Sequence, residues 1–325
     1  MITAYMARNN FKPTQIDDKN LNLLKDAIWI DLLSPTQEEE DWVEHYRALE
    51  IPTKEEMREI EVSSRLYVEG GTLFMTATMV AQSDSLNPQY DAVTFALMPS
   101  QLITIRYIEP QAFKLFSNYL TKSNQPSCHV IEVFISLLEA SVDRLADLLE
   151  FLGHHLDEYS HYIFQNEKDL KKGEKTNYQL VMQNIGIKSN LNTKARESLV
   201  TFSRLIAFFW QSADARIDKD GQLRLATLNK DLGSLSDYAN FISNKINFLL
   251  DATLGMISIE QSAIIKIFSV AAVIFLPPTL IASIYGMNFK VMPELSYKWG
   301  YLLALSMMIL SAWLPYKYFK HRRWL

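Results

Sequence analysis

IFSVAAVIFLPPTLIASIYGMNF, residues 267–289, and WGYLLALSMMILSAWLPY, residues 299–316, decide how this chain is built. Neither stretch contains a charged side chain. As a helix rising about 1.5 Å per residue, each can cross a hydrocarbon layer about 30 Å thick. The loop between them, 286–298, is too short to hold a domain. It opens on a small polar cluster, Tyr285-Gly286-Met287-Asn288. Two spans with a polar tip make a membrane hairpin whose tip suits a pore mouth.

Charge sets the expected topology. The chain closes on Lys317-Tyr318-Phe319-Lys320-His321-Arg322-Arg323, whereas the loop holds only Lys290, Glu294 and Lys298. The basic tail belongs on the cytoplasmic side, and two spans return the N-terminal part to that side. Trp299, Tyr301, Trp313, Tyr316 and Trp324 sit near the ends of the second span, as an interfacial aromatic belt does. Met1–Arg8 lacks a basic region followed by an apolar run, so no signal peptide is expected. Cys128 is the only cysteine, which excludes an intrachain disulfide and suits a reducing compartment.

Of the 325 residues, 48% are apolar and 21% charged, so most of the chain is expected to fold outside the bilayer around a sizeable core. The net charge of −5 argues against a nucleic-acid partner. Acidic runs such as Glu38-Glu39-Glu40-Asp41 read as solvated helix faces. There is no phosphate-binding glycine loop and no nucleophile motif, which argues against an enzyme or an ATP-driven pump. His154, His155, Asp157, Glu158 and His161 share helical spacing, but their order fits no catalytic metal motif, and they read as a polar helix face.

Three regions follow along the chain. Residues 1–125 read as an α+β cytoplasmic domain, with strands expected at Ala27–Leu32, Leu73–Val80, Ala92–Met98 and Leu102–Tyr107. Ser34-Pro35-Thr36-Gln37 predicts a helix start with Ser34 as cap, and Thr53-Lys54-Glu55-Glu56 a second one. Asn87-Pro88 reads as a turn. Residues 126–265 read as a helical stalk. Ile131, Ile135, Leu138, Val142, Leu145, Leu149, Leu152, Leu156, Tyr159 and Ile163 form a heptad seam. A second helix, 177–213, carries Ala195, Leu199, Phe202, Ile206 and Phe209 on one face. After a break at Asp218-Lys219-Asp220-Gly221, one continuous helix is expected from about 222 to 284, roughly 95 Å long. It joins the soluble part to the first span. Residues 266–325 form the hairpin and tail.

The same helix face continues into the membrane as Gly255, Ser258, Ser262, Ile265, Ser269, Ala272, Leu276, Thr279 and Ser283, with Phe268 beside Ser269. Small residues at this spacing serve close helix packing or line a water-filled axis; the polar loop above them favours the axis. Leu276 and Ile265 are placed to gate by dewetting, with Thr279 and Ser283 as hydrophilic stations above Leu276. Pro277-Pro278 removes helical hydrogen bonds, leaving open both a packing kink and a carbonyl turned to a pore. Asn288 offers a neutral carbonyl oxygen. Copies around an axis would form an oxygen ring able to hold the water shell of a hydrated cation. Gly286 permits a tight turn out of the helix and Met287 packs the loop. One pore-lining span per chain cannot enclose a pore, so an oligomer is required.

Gly286-Met287-Asn288 after Tyr285, followed by Met292-Pro293-Glu294-Leu295 and a second span, resembles the CorA family of magnesium channels and transporters. The resemblance covers the layout of the whole chain and is closest from Ile259-Glu260-Gln261 to Trp324-Leu325. It implies a funnel-shaped homopentamer in the bacterial inner membrane, with both termini cytoplasmic, the first span lining the pore and the second outside it. It implies Mg²⁺ as the transported and regulatory ion, with Co²⁺ and Ni²⁺ as further substrates. Family functional positions fall on Asn288, Gly286, Thr279, Leu276, Ile265 and Ser262. Many relatives carry asparagine at Ser262, so the inner polar ring is expected to be wider or weaker here. The family senses Mg²⁺ between acidic residues of the soluble domain and an Asp on a neighbour's long helix. Asp231, then Asp237, are the counterparts on the helix; the partner falls near Gln82-Ser83-Asp84, where only Asp84 is acidic. Sensing is therefore expected to be weakened or displaced. A zinc transporter of the same superfamily usually varies the Gly-Met-Asn pattern, so its intact form favours magnesium. A non-conducting membrane scaffold would explain the heptads and hairpin but not the polar tip. The basic tail suits anionic headgroups, or, as in resembling proteins, a positive collar around the inner pore.

Overall fold

The computed structural model describes residues 1–47, 49–83, 88–122, 129–165, 177–213, 216–287, 292–293, 298–322 and 324. These residues cluster into two compact units, Met1–Leu249 and Leu250–Leu325.

The first unit is built on a seven-stranded sheet of order β2-β1-β3-β7-β6-β5-β4. Its strands are β1 (Ile2–Tyr5), β2 (Thr14–Ile16), β3 (Trp29–Leu33), β4 (Leu66–Glu69), β5 (Thr72–Ala81), β6 (Gln89–Leu97) and β7 (Leu102–Arg106). The four expected strands are all present. β1, β2 and β4 are additions. Four and three residues are too few in β1 and β2 for an alternating pattern to emerge. β4 did leave a signal in Gly70-Gly71, whose positive φ values of 55° and 83° supply the turn into β5. β3 and β7 pair in parallel; the other neighbours are antiparallel.

Strand residues alternate between two cores. One face contributes Ile2, Ala4, Ile30, Leu32, Ile103 and Ile105, packed with Leu24, Val43 and Met57. Val43 comes from α1 (Gln37–Arg47) and Met57 from α2 (Lys54–Met57). The other face carries Trp29 and Phe95, which meet Phe113 of α4 (Gln111–Lys122) and Phe134 of α5 (Val130–Phe164). Phe134 in turn meets Phe209 of α6 (Tyr178–Ala213), with ring centroids 4.9 Å apart. α3 (Val62–Arg65) leads directly into β4. β4 covers only the first part of β5, and beyond it the Thr78 N–H donates to Thr201 Oγ1 of α6 at 3.0 Å. The exposed stretch of sheet edge is thereby satisfied by a helix side chain.

The heptad seam of α5 is buried from Ile131 through Leu156 and again at Ile163, with Tyr159 partly exposed. α6 buries all five residues of its expected face. The third long helix, α7 (Lys219–Tyr285), runs 67 residues without interruption through Pro277 and Pro278. Its start differs from expectation. Asp218 Oδ1 accepts from the Gly221 N–H at 2.9 Å, so the supposed break is an aspartate cap and the first helical turn. α1 differs in the same way. Ser34 has φ 43°, outside cap geometry, and Thr36 and Glu39 form the reciprocal pair of bonds two residues later. The Thr53 capping box forms as expected. The expected turn at Asn87-Pro88 begins outside the described residues.

Among the described residues, the last part of α7 and α8 (Gly300–His321), both in the second unit, are the two helices long and apolar enough to cross a membrane. Almost none of either apolar stretch is buried. A core helix of a soluble domain would hide these side chains, so their exposure supports a membrane setting.

Candidate functional site

Burial along the end of α7 separates two faces. Val270 is 2% exposed, and Ile274, Pro277, Ile281 and Tyr285 are partly buried. At 3.6 residues per turn these five lie along one stripe. α8 has a matching stripe in Ala304, 7% exposed, with Met308, Ser311, Ala312, Pro315 and Phe319 partly buried. These are the facing sides of the hairpin. Its open end is tied by Lys266 Nζ, which lies 6.0 Å from the centre of the Trp324 ring.

Ile265, Phe268, Ala272, Leu276, Thr279 and Ser283 lie on the opposite side of α7 from that stripe, and all are exposed. Ser262 and Ser269 lie on its margin, also exposed. The structure therefore places these eight residues off the stripe that faces α8. Ile265, Phe268 and Leu276 are the large apolar side chains on it, each more than 60% exposed.

Thr279 Oγ1 donates to the Phe275 carbonyl at 2.7 Å. The hydroxyl proton is thus satisfied within the helix, and the oxygen's lone pairs remain as acceptors on the uncovered face. Pro277 and Pro278 lack the N–H groups that would bond the Val273 and Ile274 carbonyls. The helix nevertheless continues for two further turns.

Gly286 closes α7 without left-handed backbone. Its N–H donates to the Ala282 carbonyl at 2.9 Å, and the Met287 N–H to the Ile284 carbonyl at 3.2 Å. The second bond spans three residues rather than four and tightens the final turn. A Cβ at Gly286 would lie 3.2 Å from the Ala282 oxygen. A side chain at this position would need that carbonyl to give by a few tenths of an ångström. Asn288 lies outside the described residues, as does Asp84.

Asp231 and Asp237 are both exposed on the first half of α7. The charge of Asp231 reaches Asp143 of α5. Burial first, then the charges of Glu139, Asp147 and Asp231, hold the Asp143 carboxyl above the usual aspartate range. The neighbours of Asp143 are already paired: Glu139 with Arg224 at 2.6 Å and Asp147 with Arg144 at 3.4 Å. Among the described residues no three His, Cys, Asp or Glu side chains are arranged to hold a metal ion. Sequence reading did not single out Asp143, because its link to Asp231 joins positions on two different helices.

Three comparisons with known proteins bear on this arrangement. A family model described as "CorA-like Mg2+ transporter protein" matches residues 25–321. The chain is 33% identical over 325 residues to the magnesium transport protein CorA of Pasteurella multocida, covering all of both chains. It is 32% identical over 326 residues to that of Escherichia coli K12, again covering all of both. The complete structure of the CorA magnesium transporter from Methanocaldococcus jannaschii matches with TM-score 0.75 at 16% identity, covering 100% of this chain and 98% of the other. The ZntB cytoplasmic domain from Vibrio parahaemolyticus matches with TM-score 0.54 at 9% identity, covering 79% and 98%. These two structural matches speak to the fold alone.

Proposed function

This chain belongs to the CorA family of magnesium transporters, and from that premise we propose that it is a channel for Mg²⁺ influx down the electrochemical gradient. It is a plasma-membrane protein whose N-terminal unit is cytoplasmic. The observation that carries the reading is the uncovered face of α7. It combines small and hydroxylated residues with three bulky apolar side chains and leads to the Gly-Met-Asn loop.

Five copies arranged with these faces inward enclose a path. Asn288 supplies a ring of amide oxygens at its outer end, which hydrogen-bond the water shell of an incoming ion without stripping it. Below it Ser283 and Thr279 offer further acceptors. Leu276, Ala272, Ser269, Phe268 and Ile265 form the middle, where Leu276 and Ile265 close the path by excluding water. Ser262 marks the inner end. Gly286 and Met287 hold the loop against the last turn of α7, with Tyr285 on the side facing α8. Co²⁺ and Ni²⁺ share the octahedral hydration of Mg²⁺ and pass the same ring. Cytoplasmic Mg²⁺ held between Asp84 and a neighbour's Asp231 or Asp237 keeps the pore closed. With one carboxylate beside Gln82 and Ser83, that hold is weak.

The test is ion flux into liposomes carrying the full-length protein. Wild type should admit Mg²⁺ and Asn288→Ala should admit far less. Equal, background-level flux from both would remove the channel reading in favour of a membrane scaffold. Strong preference for Zn²⁺ over Mg²⁺ would move the protein to the zinc branch of the superfamily.

A further inference from the structure

The last turns of α8 repeat one arrangement. Lys317 Nζ lies 4.9 Å from the centre of the Trp313 ring, Lys320 Nζ 5.9 Å from that of Tyr316, and Arg322 Cζ 5.8 Å from that of Tyr318. In each case the cation reaches back four residues to an aromatic ring on its own helix. Lys266, at the same end of α7, lies over Trp324. Trp324 is itself stacked on Phe319 at 5.5 Å.

The direction of reach matters. Helix side chains lean toward the N-terminus, and in the proposed topology the N-terminal side of these turns is the membrane. Lys317, Lys320 and Arg322 are therefore drawn back to the depth of the aromatic belt instead of extending into the cytoplasm. Contacts within about 6 Å of a ring face attract a cation without neutralising it. Residues 295–325 contain no Asp or Glu, so α8 and the tail supply no acidic side chain as counter-charge.

We propose that this end of the hairpin is a binding site for anionic phospholipid headgroups, formed by Lys266, Lys317, Lys320 and Arg322. Trp313, Tyr316 and Tyr318 hold the last three at headgroup depth, and Trp324 sits beside Lys266. The phosphate diester and its net negative charge complement the four cations, and the flanking rings lie against the upper acyl chains. The site rests on the membrane hairpin and not on conduction, so its test reads lipid and not ion flux.

Full-length protein is reconstituted into phosphatidylcholine vesicles containing trace spin-labelled lipid. Electron paramagnetic resonance then measures the fraction immobilised at the protein. Spin-labelled phosphatidylglycerol should be favoured several-fold over spin-labelled phosphatidylcholine, and the preference should shrink as salt rises. Lys317→Gln/Lys320→Gln/Arg322→Gln should abolish it. Trp313→Leu/Tyr316→Leu/Tyr318→Leu, which keeps every charge, should reduce it, because the cations are no longer held at headgroup depth. Equal immobilisation of both lipids by the wild type would overturn the site. So would a preference unmoved by salt, which needs no variant to insert correctly. If the glutamine variant kept its lipid profile but lost oligomer stability, the basic turns would instead serve a second copy of the chain.

Discussion

Asp31 and Arg106 stand 75 residues apart in sequence and face each other inside the first unit. Arg106 Nη2 and Nε donate to the two Asp31 oxygens at 2.7 and 3.0 Å, and Thr104 Oγ1 donates to Asp31 Oδ1 at 2.7 Å. Both charged side chains are about nine-tenths buried. Removing one partner strands the other charge in a low-dielectric core. Arg106→Met should therefore cost about 3–5 kcal/mol, read as a lower unfolding midpoint of the full chain in detergent. Adding Asp31→Asn should recover part of that loss; a single variant as stable as wild type would show that water reaches the site. The sequence marked both positions as strand residues but not their pairing. That pairing exists because β3 and β7 lie side by side in parallel, with Asp31 opposite Thr104. Gly286 shows the same limit. Its motif was legible, while the bond from its N–H to the Ala282 carbonyl at 2.9 Å is a matter of coordinates.

At the scale of elements, the long helices were read almost completely. Seven or more turns of heptad spacing leave a signal that no strand mimics. What the pattern could not fix was where each helix begins, because caps depend on backbone angles. Ser34 and Asp218 were both misplaced for that reason. The packing of α7 on α5 also escaped, because it rests on polar ties between distant positions. Arg224 is held by Glu139 at 2.6 and 2.8 Å and donates to Ser136 Oγ at 2.7 Å; nearly six turns on, Lys245 meets Asp157 at 2.7 Å. Arg224→Ala should loosen the first turns of α7. A bidentate pair about one-third exposed contributes about 1 kcal/mol, so amide exchange there should quicken several-fold with little change in the global midpoint. Unchanged exchange in residues 219–232 would mean that apolar packing of Leu225 and Leu228 suffices.

For the molecule as a whole, the prediction concerns regulation by its own substrate. Asp231 and Asp237 are exposed and the soluble-domain partner offers one acidic position, so Mg²⁺ should protect the purified protein from protease only at millimolar concentrations. Protection saturating at sub-millimolar Mg²⁺ would show that a full sensing site forms in the assembly. The sequence by itself determined the hairpin, its polar tip, the order of soluble part, long helix and spans, and the resemblance to the family. Those properties depend on runs of neighbouring side chains, which a linear string records completely. Only the tertiary structure decided that the small-residue face of α7 points away from α8, that the third long helix begins at an aspartate cap, and that the tail's cations fold back onto its aromatic rings. Each of those depends on which surfaces meet in space, and burial is a property of the packed molecule that no stretch of sequence carries alone.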